Sequence, residues 1–262
     1  STIASVTFGA GPYLAFVLGV ESTTTATILC ALALIALATV INLAGTRVLA
    51  LAAIAGFTAE IVGALAVGAW LLIAHREQTF SIFTNSFGAG EGGYVAAFLA
   101  ASLLGIYQYY GFEACGDVAE EVPDPGTLIP KAMRRTIYIG GAAATFVCLA
   151  LILSVSDIPA VIAGEDVDPV GTLLADAFGP VGSRIVLGVV LISFVSCAMS
   201  LQAAASRLAY SYGRDEMIFG SSLLSKFSQS RHVPPYALLL AGIVPAIIVI
   251  GSYVSTNAIT KI

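Results

Sequence analysis

The chain contains several uninterrupted apolar segments, each close to or longer than the roughly 20 residues that an α-helix needs to cross a bilayer. Its 262 residues are 58% hydrophobic and only 10% charged, whereas soluble domains contain about 25% charged residues. The apolar segments lack the alternating pattern of membrane β-strands, and backbone polar groups in lipid must be satisfied within each segment. The sequence therefore predicts an all-α, multi-pass integral protein of the cell membrane.

Seven crossings are predicted from the apolar segments and the polar loops between them. Their approximate residues are 2–19, with an interruption at Gly11-Pro12, 24–41, 48–74, 94–119, 134–154, 181–205 and 236–253. Pro130 is expected to open the helix of the fifth crossing, since its missing N–H would be unpaired there anyway. Because apolar sequence lies at both ends, we expect the chain to be an interior fragment of a longer protein.

The distribution of Lys and Arg predicts the orientation of these crossings. Alternate loops carry eight of the 11 basic residues, namely Arg47, Lys131, Arg134, Arg135, Arg207, Arg214, Lys226 and Arg231. We expect this side to be cytoplasmic, with a long cytoplasmic loop over about 206–235. On the opposite side, an acidic connection over about 156–180 is expected to hold an outer amphipathic helix that Asp168 caps.

The fourth predicted crossing, about 94–119, contains the stretch YQYYGFEACGDVAEE, which begins at Tyr107. Continued to the end of that stretch, a helix would be about 42 Å long, against a hydrocarbon core of about 30 Å. Gly111 and Gly116 are weak helix formers, and Glu113 is expensive in lipid. We predict a broken helix here; the alternative is an unbroken helix in which the glycines allow close packing.

A break at this depth would suit a binding site. The last carbonyls of the first half-helix carry partial negative charge, which favours an ammonium group or a cation. Discontinuous helices at mid-membrane commonly form the substrate sites of secondary transporters, and aromatic faces also attract cations. The predicted substrate-binding residues are Tyr107, Tyr110, Gly111, Phe112 and Glu113.

Three stretches resemble the amino acid–polyamine–organocation transporters. GFEACGDVAEEVPDPGTLIPKAMRR at 111–135 is similar to that family's sixth-helix signature, in which Gly-Phe-Glu is followed by Glu-Glu, Pro and an Ile-Pro-Lys-Ala. SRLAYSYGRDE at 206–216 resembles the loop after the eighth helix, and INLAGTR at 41–47 more weakly resembles the end of the fourth. The stretches occur in the family's order and spacing.

This resemblance implies a fold of two five-helix inverted repeats. The chain would hold family helices three to nine as a single transmembrane transporter domain over 1–262, without the first two helices and the C-terminal ones. It also implies that the sixth helix is broken at Gly111-Phe112-Glu113. The first helix, which binds the substrate carboxylate in the family, would be absent.

Glu60 lies within the third crossing, and an intramembrane carboxylate is a functional hypothesis by default. The resemblance places it near a cation site of some family members. We predict that Glu60 carries the coupling proton or neighbours the coupling ion, with Ser196 and Ser200 of the sixth crossing as candidate ion ligands. The alternatives are a structural glutamate, and serines that bond to their own helix.

Four charged residues of the cytoplasmic side are candidates for a gate held shut by ion pairs: Glu120, Glu121, Arg207 and Arg214. Exposed ion pairs contribute little individually, so these charges could instead serve only to set the orientation of the helices.

The sequence therefore predicts a secondary active transporter that moves amino acids or related amines by alternating access, coupled to a proton or sodium gradient. Its expected partners are that substrate, the coupling ion and the lipid bilayer. No nucleic-acid partner, cofactor or metal site is predicted. The four cysteines share no CxxC spacing, which argues against a metal site. One alternative is a structural or regulatory membrane fragment that transports nothing. Another is a membrane-embedded enzyme, which HExxH or GxSxG would favour; the sequence contains neither.

Overall fold

The computed structural model describes residues 1–87, 94–107, 109–166 and 168–253. Across these residues the chain forms ten α-helices. They are α1 (Thr2–Leu18), α2 (Thr24–Leu43), α3 (Thr46–Ala74), α4 (Tyr94–Tyr107), α5 (Pro125–Arg135), α6 (Gly141–Ser154), α7 (Ile158–Ala163), α8 (Pro169–Arg214), α9 (Ser221–Leu224) and α10 (Pro235–Gly251). Two 3-10 helices, Phe80–Thr84 and Phe112–Glu121, lie before and after α4 in the sequence, and a π-helix, Thr136–Gly140, joins α5 to α6.

Among the residues that the structure describes, four helical segments are long and apolar enough to cross a membrane. They are Thr24–Leu43, Thr46–Ala74, Pro125–Ser154 and Pro169–Arg214. Helices α1 and α10 and the first part of α4 are apolar but shorter. The prediction of an all-α, multi-pass membrane protein is confirmed.

The helices belong to two compact units. The first consists of Ser1–Glu60 and the described part of Leu187–Ile262, and the second of Ile61–Val186. In the first unit, α2 packs against both α1 and α10. Buried residues of all three helices form one core there: Ala4, Ile28, Ala31, Ile35 and Val249.

The interruption predicted at Gly11-Pro12 is wrong, because α1 continues through Pro12. Gly11 is buried where α1 crosses α2, and a Cβ atom at this position would lie 2.6 Å from the carbonyl oxygen of Thr27. The glycine therefore serves the close approach of two helices. This packing holds α1 together despite the hydrogen bond that Pro12 cannot donate.

The second unit has its core where α3, α6 and α8 meet. Leu71, Ala150, Leu173 and Ala177 are buried in contact with one another. A hydrogen bond also joins α3 to α8, since the Trp70 indole N–H donates to the carbonyl of Ala177 at 3.4 Å. Leu173 and Ala177 belong to the amphipathic helix predicted for the outer connection, and both lie in this core.

Helix α8 bends sharply near its start. Asp168 caps its first turn by accepting a hydrogen bond from the N–H of Gly171 at 3.0 Å. Gly179 then has φ 67 and ψ −178, a conformation that only glycine adopts readily, and Pro180 follows. Beyond the bend the helix runs to Arg214, so residues 206–214, predicted as the start of a loop, are helical. The apolar stem of an arginine can pack along apolar surface while its charged end stays in polar surroundings, so arginines in this segment are compatible with a helix that continues beyond the apolar region.

The fifth crossing begins earlier than predicted. Pro125 occupies the first turn of α5 and follows the cap residue Asp124, whereas Pro130 lies inside the helix. The prediction that Pro130 opens this helix is therefore wrong. Proline is favoured at the first position of a helix, which by sequence either Pro125 or Pro130 could occupy. The left-handed backbone of Asp124, with φ 49, turns the chain directly before Pro125, so the helix starts there.

Candidate substrate and coupling sites

The helix of the fourth crossing does not continue through the Gly-Phe-Glu stretch. Helix α4 ends at Tyr107, and the chain resumes at Phe112 as a 3-10 helix. Between them, Gly111 has φ 97 and ψ −2, in the left-handed region that favours glycine. The N–H of Tyr109 bonds to the carbonyl of Ile106 at 3.1 Å, three residues back rather than four. We call the segment from Tyr109 to Gly111 the α4 turn.

Glu113 braces this turn. Its Oε2 accepts a hydrogen bond from the N–H of Gly111 at 3.0 Å. The carboxylate also lies in the first turn of the 3-10 helix, where a negative charge complements the exposed N–H groups of a helix start. Glu113 is exposed, so the same group that holds the turn remains accessible to a ligand.

The aromatic residues predicted to line the site differ in their surroundings. Tyr110 is 63% exposed, whereas Phe112 is half-buried. Tyr107 is the last residue of α4, and its side chain lies outside the described part of the structure. Tyr109 lines a groove of about 610 Å³ with Tyr138, Thr145 and other residues of the adjoining helices.

The predicted coupling residues Glu60 and Ser196 lie on one pair of helices in the first unit. Helices α3 and α8 approach closely at Gly56, where a Cβ atom would lie 2.6 Å from both Cβ and Oγ of Ser196. Glu60 follows one helical turn later on α3. Glu60 is exposed and Ser196 half-buried.

The other serines of this face bond within their own helix. The Ser200 hydroxyl donates to the carbonyl of Ser196 at 2.9 Å, and the Ser193 hydroxyl donates to that of Val189 at 3.3 Å. This is the arrangement given above as the alternative to ion binding. The assignment of Ser196 and Ser200 as ion ligands stays a prediction.

The predicted gate residues are divided between the two units. In the first, the buried Arg207 donates to the carbonyl of Ala203 at 3.2 Å, and Arg214 forms an ion pair with Asp215 at 3.3 Å. In the second, Glu120 is exposed near the end of the 3-10 helix, and Glu121 is its last residue. A gate between the two sets stays a prediction.

A cluster of three polar residues, the half-buried Thr39 and the buried Asn42 and Gln202, was not predicted from the sequence. Asn42 Nδ2 donates to the carbonyl of Met199 at 3.1 Å and lies 3.4 Å from Gln202 Oε1, while Gln202 Nε2 donates to Thr39 Oγ1 at 3.0 Å. Asn42 is 1% and Gln202 0% exposed. A glutamine inside an otherwise apolar crossing was the signal that could have revealed the cluster.

Gly45, three residues after Asn42, lies in close contact with the loop before α10. It has φ 117, and a Cβ atom there would lie 3.0 Å from the carbonyl oxygen of Arg231. That carbonyl accepts a hydrogen bond from the N–H of Thr46 at 3.2 Å, and the Arg231 guanidinium donates to the carbonyl of Leu43 at 3.3 Å. The Asn-x-x-Gly stretch thus attaches the end of α2 to α8 on one side and to the loop before α10 on the other.

These features define a helical, multi-pass membrane protein with polar residues and a backbone turn inside its apolar segments. The whole chain, residues 1–262, matches the family model of amino acid permeases, so the protein belongs to that family. The predicted resemblance to the amino acid–polyamine–organocation transporters is confirmed.

Individual relatives are similar over parts of their length. The chain is 28% identical over 207 residues to the amino-acid permease BAT1 of Arabidopsis thaliana, covering 73% of this chain and 40% of the relative. It is 26% identical to a choline transporter of Saccharomyces cerevisiae, over 62% of this chain and 29% of the relative. The histidine permease HisP of Lactococcus lactis is 28% identical, over 60% of this chain and 34% of the relative. The chain thus spans 40% or less of the length of these three relatives.

Proposed function

We propose that this chain is part of a secondary active transporter that moves amino acids or related amines by alternating access. The observation that carries the proposal is the left-handed turn at Gly111, which interrupts an apolar segment in a member of the permease family. A turn in that position gives up helical hydrogen bonds, a cost of several kcal/mol per unsatisfied group in lipid unless other partners replace them. A ligand that bonds to the backbone there would offset part of that cost.

The chemistry of the turn suits a positively charged nitrogen. A helix end such as that of α4 presents carbonyl oxygens, and the carboxylate of Glu113 lies two residues after the turn. Tyr110 lies within the turn and Phe112 directly follows it, and aromatic rings attract cations. The relatives described above are called an amino-acid permease, a histidine permease and a choline transporter. Amino acids and choline share a cationic nitrogen, which supports amines as the substrate class.

We further propose that Glu60 carries the coupling proton or neighbours the coupling ion, with Ser196 and Ser200 as candidate oxygen ligands on α8. The support is the position of Glu60 on α3, one helical turn after the close approach of Gly56 to Ser196 of α8. Glu120 and Glu121 would pair with Arg207 and Arg214 when the cytoplasmic side is closed.

The first experiment tests transport itself. The full-length protein that contains this chain is reconstituted in proteoliposomes, and uptake of a labelled panel of amino acids and amines is measured under an imposed proton or sodium gradient. We expect saturable uptake of at least one compound. Absence of uptake for the entire panel under both gradients would overturn the proposed function.

Glu113→Gln then tests the site, because glutamine can still accept the Gly111 hydrogen bond but carries no charge. An interaction with a charged group contributes about 1.5–3 kcal/mol, so the KM for uptake should rise roughly 10-fold or more. Asp176→Asn, an equal loss of charge at an exposed position of α8, serves as the control and should leave KM unchanged. Equal KM values for the two variants would mean that Glu113 only stabilises the turn.

Glu60→Gln tests the coupling. If Glu60 carries the proton, uptake by this variant should lose its dependence on the pH gradient, while exchange of substrate down its own gradient persists. Glu77→Gln, in the exposed loop after α3, is the matched control. Unchanged pH-dependent uptake would remove Glu60 from the coupling proposal without affecting the transport proposal.

A further inference from the structure

The α4 turn packs closely against α6 where Tyr109 meets Gly141. A Cβ atom at Gly141 would lie 2.6 Å from Cε1, 2.7 Å from Oη and 3.0 Å from Cζ of the Tyr109 ring. Ordinary contacts between carbon atoms are about 3.5–4.0 Å. Any side chain at position 141 must therefore displace the ring.

The chain after the turn rests on the same helical column. The 3-10 helix packs against α5, and Gly116 approaches Met133, whose Cε would lie 3.6 Å from a Cβ atom at that glycine. The column of α5, the π-helix and α6 thus contacts the chain on both sides of Gly111, through Gly116 on one side and Tyr109 on the other. Two contacts that flank a turn restrict its position more than either does alone.

The π-helix Thr136–Gly140 lies between these two contact points and ends directly before Gly141. A π-helical turn inserts an extra residue relative to an α-helix and thereby rotates the side chains that follow. The π-helix Thr136–Gly140 therefore affects which residue of α6 faces Tyr109. Gly141 is buried at this position, whereas Gly140 faces open space, with no neighbouring atom within 4 Å of a Cβ atom.

We propose that Gly141 is a positioning residue for the substrate site: its missing side chain lets the Tyr109 ring lie against α6, and this contact holds the turn at Gly111 in place. The inference rests on the proposed transport function. Gly141 itself would touch no substrate, and its effect would pass through Tyr109, two residues from Gly111.

The test compares Gly141→Ala with Gly140→Ala in the full-length protein, reconstituted as above. Both changes replace a glycine in the same helical column, but only the first displaces Tyr109. Hydrogen bonds weaken steeply when their geometry is lost, so a displaced turn should bind the substrate less tightly, and we expect Gly141→Ala to raise KM roughly 10-fold or more. Its maximum uptake rate per reconstituted protein should change much less, and Gly140→Ala should match the unaltered protein in both quantities.

A second pair of variants shows whether the effect passes through Tyr109. Tyr109→Leu removes the ring that a side chain at position 141 would strike. If the contact is responsible, adding Gly141→Ala to Tyr109→Leu should cause little further rise in KM, because coupled residues are not additive. A full further rise would show that Gly141 acts independently of Tyr109 and would overturn the proposal.

Each remaining outcome is also decisive. Equal KM values for Gly141→Ala and Gly140→Ala, in a protein that does transport, would reject the positioning role and leave the transport proposal intact. If Gly141→Ala fails to accumulate in the membrane, its recovery by Tyr109→Leu would support the contact, and its failure to recover would reject it. Failure of the unaltered protein to transport rejects the proposed function instead.

Discussion

At the scale of single residues, the buried amides Asn42 and Gln202 are costly side chains to place in the first unit. Both lie within apolar helices, where leucines would pack without any polar group to satisfy. Helices in lipid associate without a strong hydrophobic force between them, so hydrogen bonds between helices contribute relatively more to their specificity. The cluster joins α2 to α8, and Gly242 brings α10 against Thr39, since a Cβ atom there would lie 2.7 Å from Thr39 Oγ1.

Gln202→Leu should destabilise the protein, because it leaves the buried amide of Asn42 and the half-buried hydroxyl of Thr39 with fewer partners. The expected loss is about 1–3 kcal/mol of unfolding free energy, measured as a lower thermal midpoint in detergent. Thr58→Val is the control, since the exposed Thr58 hydroxyl bonds only within its own helix among the described residues.

The double variant Asn42→Leu with Gln202→Leu sharpens this prediction. Removing both partners of a buried polar pair costs less than leaving one unpaired, so its loss should be smaller than the sum of the two single losses. Additive losses, or a Gln202→Leu variant as stable as Thr58→Val, would contradict the cluster's role.

At the scale of secondary-structure elements, glycine and proline have different effects in different helices. Gly111 and Gly179 both adopt left-handed backbone conformations, and the chain turns at each. Gly11-Pro12 has the same composition as Gly179-Pro180, yet α1 runs through it. Local sequence did not distinguish the two pairs, because the difference depends on whether a neighbouring helix packs against the glycine, as α2 does at Gly11.

The bend of α8 leads to a prediction about Gly179. Its φ of 67 and ψ of −178 are essentially restricted to glycine, so Gly179→Ala should lower the unfolding free energy by about 1–3 kcal/mol. Gly188→Ala, in the same helix with no atom within 4 Å of a Cβ atom, should be neutral or stabilising by up to about 1 kcal/mol. Thermal midpoints of the two variants measure the difference, and equal midpoints would show that α8 tolerates a straighter path.

At the scale of the whole molecule, the predicted orientation rests on the uneven distribution of basic residues. It assigns the loop between α9 and α10 to the cytoplasm and the segment after α3 to the outside. Both segments carry exposed serines, Ser230 and Ser86, which offer matched positions for a labelling experiment.

In a background without the native cysteines at 30, 115, 148 and 197, Ser86→Cys should react with a membrane-impermeant maleimide applied to intact cells. Ser230→Cys should react only after the cells are opened, because its loop is predicted to be cytoplasmic. The reverse pattern would invert the orientation. Reaction of both positions in intact cells would contradict the number of crossings between them.

The sequence by itself determined that this protein is a helical membrane protein of the permease family. Long apolar segments leave the backbone no partner in lipid except itself, so length and composition are sufficient to specify helices. Only the tertiary structure decided that Asn42 meets Gln202, that Gly56 receives Ser196 and that Gly141 accommodates Tyr109. Those pairs are brought together by helix packing between residues far apart in the chain, and no local pattern of apolar residues encodes such a distance.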